Sequence, residues 1–587
     1  MFQTSRLAAV VVALQATAVL APTATLAQAV APAGCPQGMV WREAYPDDYL
    51  CVTPQVRAKA RAHTCPPSQV PQADGACVPA PATAIAPASP PVPTTRSNVS
   101  QVPFLGVTGP RPFLIVAPDE FMPALEPLVA HKNSTGMPTL AVSIGQLTSR
   151  FPGADDPEKI KRGIQYAYEH LGTQYVMLVG DPHWFPVRFI FFKNFSRSYP
   201  NHPNEPNLPV DGVYAPSDLY YANLYHHKIT RSPKLAVSPG PFDDWNADRT
   251  GHYNEADWGI SSPARTNWNE PNPDRVDGYP DVAVARATAH NAADVAAYVN
   301  KIIRYETRKP QTSLFTFVAD GNYPGAPPRV EQIVTKSHLN YPAAFFQINK
   351  PDGTASRRWV VDASPADVAS KINASLWVGY FGHGSVNSWN GPGFGRDLVK
   401  LTASNDSLPI VFTDGCVTGR FAIETPFDTE YVDITGVHHK FAPAPGADPK
   451  IPTVPAMIDK ISGQTWGTNC AGCKPLPLVA PPPNPYDFDR GSYNFAYPWL
   501  FSYPQGGAIA YFGEVGIMEP QMAAELETYM LTDYVGGQRG LGAIYLQAQR
   551  EYWKHHIDDP GIVDHHSPSR LFLGFMVMFG DPSLRMH

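Results

Sequence analysis

Two short apolar runs, 376–381 and 408–413, constrain this chain more than any other feature. Both are rich in β-branched and aromatic residues and bounded by Gly, Ser, Asn or Pro. A strand buried on both faces of a parallel sheet reads this way. Each run leads into a glycine followed by a reactive residue, Gly382-His383 and Gly415-Cys416. The 33 residues from His383 to Cys416 match about one strand–crossover–strand unit in length. Neighbouring parallel strands would then carry a histidine and a cysteine side by side at their carboxyl ends, where open α/β sheets place ligands.

That pair of residue types suits nucleophilic catalysis. A thiol attacks as its thiolate, and a nearby imidazole can take the proton and return it to the leaving group. Gly384 leaves room for a backbone N–H to face the site. Together with the Cys416 N–H it could form an oxyanion hole.

At 587 residues the chain is too long for one small core. The net charge is −7 and no basic patch is dense, which argues against a nucleic-acid partner. With 64 prolines against 17% charged residues, turns and a Pro-rich linker are expected, not helical bundles. Residues 1–29 read as a secretory signal: Arg6, an apolar stretch from Leu7 to Leu20, and the small-residue site Ala27-Gln28-Ala29. No other run approaches about 18 apolar residues, so no membrane span is expected after cleavage.

Export makes disulfides accessible. Of the seven cysteines, Cys35, Cys51, Cys65 and Cys77 cluster in a module at 30–80, with their pairing open. Cys470 and Cys473 are close enough to bridge each other, which leaves Cys416 as the odd one out. Residues 81–110 form a Pro-rich linker.

The body divides into a first α/β subdomain at 111–308 and a catalytic one at 309–587. Strands are expected at 112–117, 137–142, 175–179 and 281–285, with helices near 121–132, 157–171 and 291–307. Such alternation indicates α/β subdomains with mainly parallel sheets flanked by helices. Further strands are expected at 314–318, 508–512 and 571–579.

The motifs, taken in order, resemble the gingipain-type cysteine peptidases of caspase-like fold. They are YVMLVGD (175–181), SDLYYANL (217–224), PDVAVARATAHNAADVAAYVNKIIRYE (280–306), FGHGS (381–385), DGCVTGRF (414–421), GGAIAYFG (506–513) and FGDPSL (579–584). The resemblance implies Cys416 as nucleophile and His383 as general acid/base. It also implies Asp320, in FVADGN, as the carboxylate that orients the histidine and holds its tautomer. Family members that cleave after Arg or Lys carry an acidic residue in the substrate pocket, and Glu331 is the matching candidate here. The P1 preference stays open.

Residues 244–255, DWNADRTGHYNE, place Asp244, Asn246, Asp248 and Glu255 at the oxygen-ligand spacings of an EF-hand-type loop. Arg249 stands where that loop normally has glycine. A structural Ca2+ is one reading and a polar surface loop the other; no cofactor is expected for catalysis. The leading expectation is a secreted, periplasmic or cell-surface cysteine endopeptidase, monomeric, acting on protein or peptide substrates through an acyl-enzyme. Its rivals are sortase-like acyl transfer by the same dyad and a non-catalytic binding protein.

Overall fold

A computed structural model describes residues 107–182, 184–193, 212–231, 234–249, 274–308, 312–323, 325–349, 358–390, 393–422, 494–516, 520–556 and 568–586, with two- and three-residue stretches elsewhere. The chain divides into two units, Met1–Ala80 and Pro81–His587. In the first, Val40–Trp41 pairs antiparallel with Cys51–Val52, and Gln69–Pro71 with Cys77–Pro79. The expected signal segment at 1–29, most of the expected linker, Cys470, Cys473 and the side chains of the four N-terminal cysteines lie outside the described residues.

The second unit begins with β1 (Phe113–Ala117), whose five residues are all buried. Then come α1 (Met122–Ser134), β2 (Thr139–Ser143), α2 (Asp156–Leu171), β3 (Tyr175–Val179), β4 (Ala283–Ala287) and α3 (Ala292–Thr307). Local signals set the helix ends. The Asp155 side chain accepts the Glu158 N–H at 3.1 Å to cap α2, and Gly172 ends it in the left-handed region. Asn291 caps α3 in the same way, accepting from Asp294 N at 3.0 Å.

The second half supplies β5 (Leu314–Asp320), α4 (Ala326–Lys336), β6 (Ala343–Ile348), β7 (Trp359–Val360), α5 (Pro365–Ile372), β8 (Ser375–Phe381), α6 (Arg396–Leu401) and β9 (Ile410–Asp414). It continues with α7 (Ala496–Leu500), β10 (Ala510–Glu514), α8 (Pro520–Val535), α9 (Leu541–His556), α10 (Pro568–Phe575) and β11 (Met576–Phe579). Residues 571–575 finish a helix and only 576–579 are strand. A short apolar run alone does not separate a buried helix from a buried strand.

The α/β class and the parallel pairing are as the sequence implied, but the two halves share one sheet. Its eleven strands run β7-β6-β5-β8-β9-β10-β11-β4-β3-β1-β2. Every neighbouring pair is parallel except β10–β11. The late strand β11 joins β10 to β4 of the first half, so neither half exposes an open edge there. Because the direction reverses at β10–β11, the carboxyl ends of the two halves lie on opposite edges of the sheet.

Each half repeats one strand order, β2-β1-β3-β4 and β6-β5-β8-β9. The registers agree as well: Val179 faces Ala287 as Phe381 faces Asp414. The next residue is a glycine at positive φ in both halves, Gly180 at 124° and Gly382 at 155°. Their N–H groups donate across the pair, Gly180 to Ala287 O at 2.8 Å and Gly382 to Asp414 O at 3.0 Å. In the second half the chain leaves β5 towards β6 on one side and towards β8 on the other. The crevice at their carboxyl ends is a topological switch point, where such sheets bind ligands.

Candidate active site

Three strand ends meet at that crevice. Asp320 closes β5, Gly382-His383 follows β8, and Gly415-Cys416 follows β9. Asp320 is fully buried. Its Oδ1 accepts from Asn322 N at 2.9 Å and Asn349 Nδ2 at 2.8 Å. Its Oδ2 accepts from Asn390 Nδ2 at 2.9 Å and from the backbone N–H of His383 at 3.3 Å. The carboxylate thus bonds the main chain of the histidine.

The His383 side chain is exposed, with the Tyr323 ring edge-on at 5.0 Å. Its carbonyl accepts from Tyr380 Oη at 2.5 Å and from Asn390 N at 3.0 Å. Gly382 is required because a Cβ there would come within 2.3 Å of Asp320 Cβ. Residues 384–385 and 388–389 then form a small hairpin, with Gly384 opposite Trp389. The bond from Asn390 N to His383 O makes Gly384–Trp389 a non-hydrogen-bonded pair, so the Gly384 N–H points away from the ladder. Trp389 folds back over the sheet and stacks on Tyr380 at 4.6 Å.

Cys416 is half-buried at the start of a tight turn. Thr418 closes the turn on Gly415 O, through its N–H at 3.3 Å and its hydroxyl at 2.7 Å. Val417 sits at φ 55°, a conformation that costs a β-branched residue about 1–3 kcal/mol. The end of β10 holds it there: Val417 N donates to Gly516 O at 3.0 Å and Gly419 N to Glu514 O at 2.8 Å. The histidine and cysteine turns touch, since a Cβ on Gly384 would lie 2.7 Å from Cys416 O and 2.6 Å from Thr418 Cγ2.

Beneath the cysteine turn lie three buried carboxyls, Asp414, Glu514 and Glu527. Burial pushes Glu514 and Glu527 up to about 8, and raises Asp414 well above the ordinary carboxylate range. Trp377 Nε1 donates to Glu527 Oε1 at 2.8 Å.

Glu331 does not join this group. It lies on α4, where its Oε1 accepts from Trp359 Nε1 at 2.7 Å and meets Arg358 Nε at 3.5 Å. Trp359 belongs to β7, the outermost strand, with β6 and β5 between it and β8. Asp244 is ion-paired with Arg249, which adopts φ 63°, the left-handed geometry for which the EF-hand pattern uses glycine. Asn246 N donates to Asp244 Oδ1 at 3.2 Å, and Asp248 N approaches Asp274 Oδ1 at 3.5 Å. Glu255 lies outside the described residues. Among the described residues, no group of three or more His, Cys, Asp or Glu side chains is arranged to hold a metal ion.

The family model Peptidase family C25 matches residues 108–435, more than half of the chain, and covers all three strand ends. The chain belongs to peptidase family C25. It is therefore a cysteine-type endopeptidase. No curated protein matches it.

Solved structures similar to this C25 member include a complex of Porphyromonas gingivalis RgpB pro- and mature domains, at 14% identity and TM-score 0.45, covering 81% of this chain and 79% of that one. A second is the Arg-specific cysteine proteinase gingipain R (RGPB), at 14% identity and TM-score 0.43, covering 81% and 78%. Among the described residues, no helix is long and apolar enough to cross a membrane.

Sequence reasoning missed the supports of this C25 site. Tyr380, Asn390 and Asn349 carry no motif spacing, and only the fold brings them to Asp320. Asp414 and Glu514 did leave a signal: each is an acid at the end of an otherwise apolar strand run.

Proposed function

We propose that this C25 peptidase is a secreted endopeptidase that cleaves peptide bonds through Cys416 and His383. The observation that carries the reading is the contact between their turns at the switch point, with Gly384 packed on the Cys416 carbonyl. His383 takes the proton from Cys416 Sγ, and the thiolate attacks the scissile carbonyl carbon. The N–H groups of Gly384 and Cys416 face the developing oxyanion. As the C–N bond breaks, the imidazolium gives its proton to the departing amine and a thioester remains. His383 then removes a proton from water, whose oxygen attacks the thioester. Collapse releases the carboxylic acid and the Cys416 thiolate, which regains its proton from His383.

Asp320 supports this cycle from behind, through the His383 main chain. Secretion follows from the signal-like segment at 1–29, and an oxidising compartment from the cysteine cluster at 35–77. Peptidyl acyloxymethyl ketones carrying Arg, Lys or a neutral P1 residue test the dyad. Labelling of Cys416 that His383→Ala abolishes is expected, and the best probe names the pocket. Peptidase activity that survives Cys416→Ala would overturn the assignment.

A further inference from the structure

We propose that Asn390 is a positioning residue for His383, acting through the Asp320 carboxylate and the His383 main chain, with Asn349 behind it. The inference rests on the reading of His383 as the residue that moves the proton. Asn390 brackets the histidine on both sides. Its N–H donates to the His383 carbonyl at 3.0 Å and to the Tyr380 hydroxyl oxygen at 3.2 Å. Its Nδ2 donates at 2.9 Å to Asp320 Oδ2, the same oxygen that accepts the His383 N–H. Asn349 Nδ2 in turn bridges Asp320 Oδ1 at 2.8 Å and the Asn390 carbonyl at 3.0 Å.

An ionised carboxylate offers about four lone-pair sites, and Asp320 receives four N–H donors. Two of the four are side-chain amides and two are backbone N–H groups, so a buried charge is held entirely by neutral donors. The carboxylate is therefore committed to the position of the histidine turn. Removing the Asn390 amide leaves Oδ2 short of one donor in a buried setting and lets the turn shift. A displacement of about 1 Å at a proton-transferring group costs about 100-fold in rate.

The test compares Asn390→Ala, Asn390→Asp and Asn349→Ala with the wild-type full chain. One readout is kcat and KM on a peptide substrate. The other needs no turnover: the rate of His383 modification by diethylpyrocarbonate and of Cys416 alkylation by iodoacetamide, each against pH. Asn390→Ala is expected to lower kcat about 10- to 100-fold with KM within about threefold, and to move the pH midpoints of both modifications. Asn349→Ala should shift them in the same direction by less.

Asn390→Asp should be worst at alkaline pH and recover relative to wild type as pH falls. A protonated carboxyl can donate O–H to Asp320 Oδ2, whereas an ionised one repels it. The neighbouring titratable groups are His383, Tyr323, Tyr380, Cys416 and Asp414, and all are the same in every protein compared. A kcat for Asn390→Ala within twofold of wild type, or an Asn390→Asp profile parallel to wild type, overturns the proposal. Modification rates that follow Asn390 as expected in a protein with no Cys416-dependent turnover would sink the peptidase reading and leave this one standing. If Asn390→Ala does not fold, Asn349→Ala and Asn390→Asp decide by the same criteria.

Discussion

Glu527 gives the sharpest quantitative test of how this sheet is built. It lies on α8 with its carboxyl against β8, where Trp377 Nε1 donates to it at 2.8 Å. Gly379 provides the space, since a Cβ there would come within 2.5 Å of Oε1. Burial raises its pKa from 4.5 to about 8. The folded protein thus holds a proton that the unfolded chain releases near 4.5. That contribution to stability is fully present below the unfolded value and is lost as pH rises through the folded one. Between the two values the loss is about 1.4 kcal/mol per pH unit.

Glu527→Gln keeps the acceptor for Trp377 and stays neutral at every pH, so it removes this slope. From pH 5 to pH 8 the variant should gain about 3 to 4 kcal/mol on wild type. Urea unfolding of both proteins at pH 5, 6, 7 and 8 measures the gap. Glu514, also raised to about 8, is present in both and largely cancels. Parallel stability curves would refute the reasoning, because Glu527 would then be ionised, or solvated, in the folded state.

Three further outcomes are expected. Gly384→Ala pushes a methyl against Cys416 O and Thr418 Cγ2 at 2.7 and 2.6 Å, so kcat should fall about 100-fold with little change in the urea midpoint; activity near wild type would show that the two turns need not touch. Trp389→Ala empties a fully buried site between Tyr380, Phe495 and Trp499 and should cost about 3–5 kcal/mol in urea unfolding. Calcium at 244–255 requires Asp244 to leave Arg249, so Arg249→Gln should enlarge any rise in thermal midpoint caused by millimolar calcium; no rise in either protein refutes calcium there.

What could be read from the sequence was local. The runs at 376–381 and 408–413 are short, apolar on both faces and rich in β-branched and aromatic residues, which pointed to central parallel strands and put the residues after them at a sheet edge. Asn291 marked a helix start because capping is a contact within four residues. The misplaced expectations concern distance. Glu331 sits eleven residues beyond Asp320, yet α4 carries it to the edge strand, where the Trp359 indole holds it. The sequence also suggested two sheets, because nothing local marks 576–579 as the strand that stitches the halves together. Likewise, Asp320 was expected to act on the imidazole. In the structure its oxygens accept from the His383 main chain and from Asn349 and Asn390, which β6 and the hairpin bring to it.

The repeat within the sheet separates what the fold provides from what the residues provide. Both halves offer a glycine at positive φ, the same cross-strand hydrogen bond and the same crevice. Where the second half has His383 and Cys416, the first half has Asp181 and Ala289. There Asp181 faces His290 at 3.7 Å, and Tyr497 stacks on that histidine at 3.8 Å. On the proposed reading of Cys416 and His383, a carboxylate and a methyl cannot replace the thiol nucleophile and its base, so an equivalent backbone does not by itself carry that chemistry. In the second half, Asp320 and the asparagines hold the histidine turn while β10 holds Val417 strained beside the cysteine. The two turns are fixed by different strands and meet at Gly384. A substitution that separates them should therefore abolish turnover while leaving each strand in place.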